Sequence, residues 1–202
     1  SNIEEKDIYE VTVKTGQIGK NKVVVAKCGV GKVNAARVTQ ILIDKLNVNS
    51  IINVGSAGAL NPLLNIGDIV IGEKLVQHDF DITAFDHDKG YITGVGDYIY
   101  SNLKLIEKFE KAAKSLENED FKVKKGTIAT GDIFCTDINM KNKIYSKFNA
   151  ECVEMEGAAI AQVCYLYQVP FLSFRIISDV PGSGHHFEQY QNFWDTMAEK
   201  SF

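Results

Sequence analysis

The sequence predicts an α/β fold: a three-layer α/β/α sandwich with helices on both faces of a central mixed β-sheet. Three observations predict it. Short apolar runs of strand length alternate with stretches whose apolar residues recur at helical spacing. Several of those runs end in glycine-rich or polar turns. No internal repeat or low-complexity linker divides the 202 residues, a length that suits one domain with a sizeable core.

The elements follow in order. Ile8 to Gly16 and Lys22 to Cys28 read as a strand pair around the tight turn Gly19-Lys20-Asn21. Gly29-Val30-Gly31-Lys32 leads into a helix with Ala35, Val38, Leu42 and Leu46 on one face. Ser50 to Val54 reads as a short strand that stops at Gly55-Ser56-Ala57-Gly58. Another strand starts at Gly67-Asp68 and runs to His78-Asp79, before a polar loop that lasts to about Tyr98. A helix is expected from Asn102 to Leu116, with Leu105, Phe109, Ala112 and Leu116 inward. Glu117 to Lys125 reads as a solvated connection. Thr127 to Thr130 is a strand with Gly131-Asp132-Ile133-Phe134 as its exit, and Asn139 to Phe148 a short helix. Val153-Glu154-Met155-Glu156-Gly157 is expected to open a helix that carries Ile160, Val163, Cys164 and Tyr167 on one face. Val169-Pro170 starts a buried strand that ends at Arg175-Ile176-Ile177-Ser178-Asp179, and a last helix spans Tyr190 to Ser201.

Composition narrows the function classes. Hydrophobic residues make up 45% and charged residues 24%, ordinary for a globular protein. A net charge of −4 without a basic stretch argues against nucleic acid as a partner, since phosphate contacts need clustered Lys and Arg. No run approaches the roughly 20 apolar residues of a membrane span, and no segment reads as a signal peptide. Cys28, Cys135, Cys152 and Cys164 form no Cys-x-x-Cys pair, so reduced thiols in a cytoplasmic protein are expected.

Ligands of open α/β sheets sit at the carboxyl ends of strands. Four exits here are polar or glycine-rich, at Gly29, Gly55, Gly131 and Ser178. Gly29-Val30-Gly31-Lys32 lacks the spacing of either phosphate-binding glycine motif and reads as a plain turn. Gly55 to Gly58 offers backbone N–H groups and one hydroxyl, equally a turn or a ligand contact. His78, Asp79, Asp81, His87 and Asp88 lack helical ligand spacing, and no metal is expected. Cys135 has no evident base beside it and reads as a pocket-lining residue. The order of elements brings Glu156 and Asp179 to the same sheet edge. Asp179 ends an apolar run, so partial desolvation should raise its pKa and let it hold a proton, unless it only caps the following loop. Glu154 and Glu156 share a face only if the chain there is extended, and one of them can instead be a first-turn helix carboxylate.

Together these segments resemble the methylthioadenosine/S-adenosylhomocysteine nucleosidases, within the purine nucleoside phosphorylase superfamily. The resemblance rests on Gly29 to Lys32, Asn53 to Gly58, Gly67 to Val70, His78-Asp79 to Phe85, Gly131 to Phe134, Val153 to Glu156 and Arg175 to Asp179, seven motifs in the family's order. It implies a nucleoside phosphorylase-like fold and hydrolysis of the N-glycosidic bond, with no cofactor. Asp179, steered by Ser178, would protonate N7 of adenine. Glu156 would bind the ribose hydroxyls, with Met155 packed on the sugar and Glu154 beside it. Phe134 would stack on adenine, and the Cys135 backbone would meet the base edge. Ser56, Ala57 and Gly58 would border the ribose and the water. Ile82 and Phe85 would complete the 5′ pocket of a neighbouring subunit, which implies a homodimer.

Phosphorylases of the superfamily carry a phosphate-binding arginine where this chain has Asn53, so water is the expected nucleophile. The alternatives are a purine nucleoside phosphorylase and a nucleoside-binding protein without turnover. The second arises because the family's water-activating glutamate lies on an opening strand, roughly Gly-Ile-Ile-Gly-Ala-Met-Glu-Glu-Glu. None of Glu4, Glu5 or Glu10 has that setting. The expectation is thus a single domain over residues 1–202, shortened at both ends, with Phe187 or Tyr190 closing the pocket.

Overall fold

Residues 3–117 and 121–200 are described by the structure, a computed structural model. Three strands, β1 (Glu4–Ile8), β2 (Val11–Ile18) and β3 (Asn21–Ala26), make an antiparallel sheet of their own. The expected single strand from Ile8 to Gly16 is therefore two strands. Ile8 pairs with Val11 across a two-residue turn in which Tyr9 and Glu10 both take positive φ, 50° and 63°. Such primed turns favour Asn and Gly, and neither stands here, so nothing local marks the reversal.

The chain continues through α1 (Lys32–Leu46), β4 (Ile51–Ala59) and β5 (Ile69–Gln77). A 3₁₀ turn, Thr83–Phe85, precedes β6 (Ile99–Tyr100), α2 (Leu103–Lys114), β7 (Val123–Thr130) and α3 (Ile138–Phe148). The last elements are β8 (Ala150–Glu154), α4 (Gly157–Leu166), β9 (Phe171–Asp179) and α5 (His186–Lys200). Asn102 and Asp137 cap α2 and α3, each accepting a backbone N–H three residues on.

The main sheet has the order β6-β5-β7-β8-β4-β9 and mixes parallel with antiparallel pairs. It also closes, because β5 from Ile69 to Gly72 pairs with β9 from Ser173 to Ile176. Alternate side chains enter opposite layers, as the pleat requires. Val70 and Ile177 pack with Ala35 of α1 and with Ala158, Ile160 and Cys164 of α4. Ile71 and Leu172 meet Ile106 of α2, while Ala129 and Val153 meet Ile144 and Phe148 of α3. Helices thus cover both faces of a mixed sheet.

Four expectations need correction. The strand through Ser50 to Val54 does not stop at Gly55; β4 runs on to Ala59, held by β9 through Ala57 and by β8 at Gly58 and Ala59. Val153 and Glu154 end β8, and only from Gly157 is the chain helical. Helix α2 buries Ile106 and Ala113 instead of Ala112 and Leu116, because its inward stripe lies one residue round the helix. Helix α5 begins at His186, four residues before the expected start. Part of the connection expected over Glu117 to Lys125 falls at 118–120, outside the described residues.

Between Ile51 and Ala57, β4 is paired among the described residues on one side only, by β9. The outer edge of β3 is likewise without a strand partner among the described residues. Ile52 and Val54 on β4 and Val25 on β3 are exposed.

Candidate active site

A cavity of about 220 Å³ lies where β8 and β9 end, the exit loop of β7 turns and the second half of β4 passes. Ser56, Ala57 and Gly58 form one wall. Glu154, Met155 and Glu156 form a second, Phe134 and Cys135 a third, and Ser178 and Asp179 close the floor. Ten of the site residues expected from the sequence meet there. The other two do not line the cavity: Ile82 precedes the 3₁₀ turn and Phe85 ends it.

Asp179 is 2% exposed, and the Ser178 hydroxyl donates to its Oδ1 at 2.7 Å. Burial pushes the carboxyl up. The Ser178 bond and the charges of His186 and Lys141 pull the other way and only partly offset it. Such a group can keep a proton at higher pH than an ordinary carboxylate and deliver it into the cavity.

The two glutamates separate cleanly. Glu156, the N-cap residue of α4, accepts the Gly31 N–H at Oε1 at 2.9 Å and faces the cavity. Burial and, less strongly, the Glu154 charge raise its pKa against that hydrogen bond. Glu154 is an anchor. Its Oε2 accepts the N–H groups of Glu156 at 2.9 Å and Gly157 at 2.7 Å, satisfying donors that the start of α4 leaves free. Its Oε1 takes the Thr130 hydroxyl, and the Arg175 guanidinium closes on Oε2. The Arg175 and Glu154 side chains are 3% and 2% exposed.

Arg175 also donates to Asn53 Oδ1 at 2.6 Å, and Asn53 in turn accepts the Ser173 hydroxyl at 3.1 Å. Its guanidinium lies directly beneath Gly55. A Cβ on that residue would stand 2.1 Å from Nη1, so β4 can pass only as glycine there. The sequence reading assigned Arg175 no role. The signal was present, since a charge inside the apolar run Phe171 to Ile177 needs a buried partner.

The aromatic wall is built from α5. Tyr190 sits edge-on to Phe134 with centroids 5.6 Å apart, and Trp194 sits edge-on to Tyr190 at 6.3 Å. Tyr190 and Trp194 line the cavity, whereas Phe187 is 57% exposed and does not. Burial, with a smaller push from the Asp179 charge, drives the Cys135 thiol up to about 11, which suits a wall residue and not a nucleophile. Cys28, Gly29 and Val30 also reach the cavity, so the segment that reads as a plain turn contributes to its wall.

A buried carboxyl acid, a second carboxylate across a small cavity and an aromatic wall, all at strand ends of a mixed sheet, suit acid-assisted cleavage of a bond to a flat, aromatic leaving group. The whole chain, residues 1–202, matches the phosphorylase superfamily. A 5′-methylthioadenosine/S-adenosylhomocysteine nucleosidase of Bacillus thuringiensis subsp. konkukian is 43% identical over 178 residues, 87% of this chain and 76% of that protein. The nucleosidase of the same name from Colwellia psychrerythraea, solved in complex with adenine, superposes with a TM-score of 0.90 at 33% identity, over 96% of this chain and 79% of that one. Futalosine hydrolase of Helicobacter pylori superposes with a TM-score of 0.89 at 31% identity, over 95% and 81%. The chain belongs to the 5′-methylthioadenosine/S-adenosylhomocysteine nucleosidase family.

Proposed function

We propose that this chain hydrolyses the N-glycosidic bond of 5′-methylthioadenosine and S-adenosylhomocysteine, releasing adenine and the 5-thioribose product. The observation that carries the reading is Asp179, buried at the cavity floor and oriented by Ser178. Asp179 gives its proton to N7 of adenine as the N9–C1′ bond breaks, and the electron pair of that bond leaves on the base. Glu156 holds the ribose hydroxyls while the sugar becomes oxocarbenium-like, and Met155 packs on the sugar. Phe134 stacks on adenine, with the Cys135 backbone at the base edge. Ser56, Ala57 and Gly58 border the sugar. Water adds to C1′ and loses a proton.

Water is favoured over phosphate because, among the described residues, the cavity offers no uncommitted guanidinium. Position 53 is asparagine, and Arg175 is already bound to Asn53 and Glu154. The direct test is adenine release from 5′-methylthioadenosine with and without phosphate. Equal rates are expected, and a phosphate requirement with ribose 1-phosphate chemistry would assign a phosphorylase instead. The rate should also fall as pH rises through the raised pKa of Asp179, because the protonated form is the competent one and burial extends its range upward. A profile flat on the alkaline side would remove Asp179 from the role of acid.

A second reading rests on the carboxylates. Among the described residues, Glu154, Glu156 and Asp179 are the only ones that line the cavity, and Glu154 is committed to Arg175. By the family resemblance, the glutamate that takes the proton of water rides on a further strand. The unpaired edges of β3 and β4, both strands that lead into the cavity wall, suit such a strand. Nucleoside binding by calorimetry without adenine release would assign these 202 residues to binding alone.

The chain's single tryptophan gives an independent check. Trp194 lines the cavity, so adenine should quench its fluorescence in saturable fashion. An unchanged spectrum at saturating adenine would place the base elsewhere. We further propose a homodimer in which Ile82 and Phe85 complete the partner's 5′ pocket; the Phe85 ring, 75% exposed in the single chain, supports this. The four cysteines are free thiols, which supports a cytoplasmic location.

A further inference from the structure

A closed frame of hydrogen bonds lies behind the cavity and takes no part in the chemistry above. Lys32 Nζ donates to Asp79 Oδ1 at 2.8 Å and to Gln77 Oε1 at 3.1 Å. Asp79 Oδ2 accepts the Asp132 N–H at 2.9 Å. Asp132 Oδ1 accepts the Lys32 N–H at 2.7 Å, which closes the ring. Burial pushes the Asp79 carboxyl up, but the Lys32 ammonium and the Asp132 N–H outweigh it and hold the group below the usual carboxylate range. The Lys32 and Asp79 side chains are 19% and 17% exposed, so the pair is shielded but not sealed.

This frame grips both ends of one hydrogen bond. Gly31, the residue before Lys32, donates its N–H to Glu156 Oε1 at 2.9 Å. Its φ of 91° is one that side-chain-bearing residues rarely adopt, and a Cβ there would stand 3.1 Å from Asp132 Oδ1. The peptide that follows Gly31 is anchored by the Lys32–Asp132 bond, one residue from the N–H that Glu156 accepts. On the other side, Gln77 Nε2 donates to Gln162 Oε1 at 2.7 Å, and Gln162 lies on α4, the helix that Glu156 caps.

We propose that Lys32, Asp79 and Asp132 are positioning residues for Glu156, fixing the Gly31 N–H that aims its carboxylate at the ribose. The proposal rests on the reading of Glu156 as the ribose contact. It accounts for a lysine at the start of α1 that touches no cavity surface.

The test compares a ligand with ribose and one without. The 7-deaza analogue of 5′-methylthioadenosine has no N7 to protonate, so it binds without turnover. Lys32→Met should weaken its binding about tenfold to a hundredfold, the scale of losing a charge-assisted hydrogen bond. Adenine affinity should stay within about twofold of the parent, the scatter expected for a site left intact. Lys32→Arg should restore most of the loss. In a Glu156→Gln background, Lys32→Met should add little. Intact nucleoside affinity in Lys32→Met, or full additivity with Glu156→Gln, overturns the positioning role. If Glu156→Gln itself leaves nucleoside affinity unchanged, the ribose reading fails first and the proposal with it. Adenine affinity reports whether each variant folds. Should Lys32→Met fail to fold, Asp79→Asn removes the charge and one of the two acceptors that Lys32 and the Asp132 N–H use, and unchanged nucleoside affinity there also overturns the role.

Discussion

Asp179→Asn should slow adenine release by about a hundredfold to ten-thousandfold, the span associated with a positioned general acid. The substitution is nearly isosteric. An amide oxygen can still accept the Ser178 hydroxyl that now bonds Oδ1 at 2.7 Å, so the side chain keeps its place. It carries no acidic proton, so adenine must leave as a poorer leaving group. Binding of the uncleaved nucleoside should change little. Single-turnover release of adenine, with binding measured in parallel on the same preparation, separates the two. Near-parental release by the variant refutes the acid role. Weak binding with a normal chemical step would instead make Asp179 a binding residue.

Arg175→Met should destabilise the fold by about 3–5 kcal/mol, the cost of leaving a buried charge without its partner. Glu154 would keep two backbone N–H bonds and the Thr130 hydroxyl but lose its only cation, in a place where its side chain is 2% exposed. Asn53 would lose its guanidinium donor in the same step. Pairing the change with Glu154→Met removes the stranded charge, so the double variant should recover part of the loss, although the start of α4 then lacks its acceptor. Urea unfolding of the parent, the single and the double variants measures both effects. A single variant as stable as the parent would mean that the ion pair contributes nothing net.

These two residues differ in how plainly the sequence announces them. Asp179 follows a long apolar run, so its burial follows from local sequence, while its role as acid is what the family resemblance implies. Glu154 and Glu156 look alike in a Glu-x-Glu pair. They part only because β8 ends between them and α4 then turns one toward Arg175 and the other toward Gly31. That split depends on partners 21 and 125 residues away, which no local pattern encodes. The fold shows the same division. Helix α1 was legible from periodicity, and α2 and α3 in their extents, though the inward stripe of α2 was read one residue off. The Tyr9-Glu10 reversal was hidden because neither residue type favours it, and β4 was cut short because glycine reads as a turn. There the cause was non-local: Gly55 is glycine to make room for a guanidinium from β9. The choice of Tyr190 over Phe187 is likewise set by the phase of α5, fixed by a start at His186 that the sequence does not mark.

The bond between Asn53 and Arg175 ties position 53 to the core. By the family resemblance, position 53 is where a phosphorylase would carry an arginine for phosphate; here Asn53 receives an arginine from the neighbouring strand. Exchanging Asn53 for arginine would bring two cations against one carboxylate and evict the first from the only berth it has. The selection of water as co-substrate is thus interlocked with the integrity of the core. An arginine placed at position 53 to receive phosphate would therefore disturb β4, β9 and the start of α4 together.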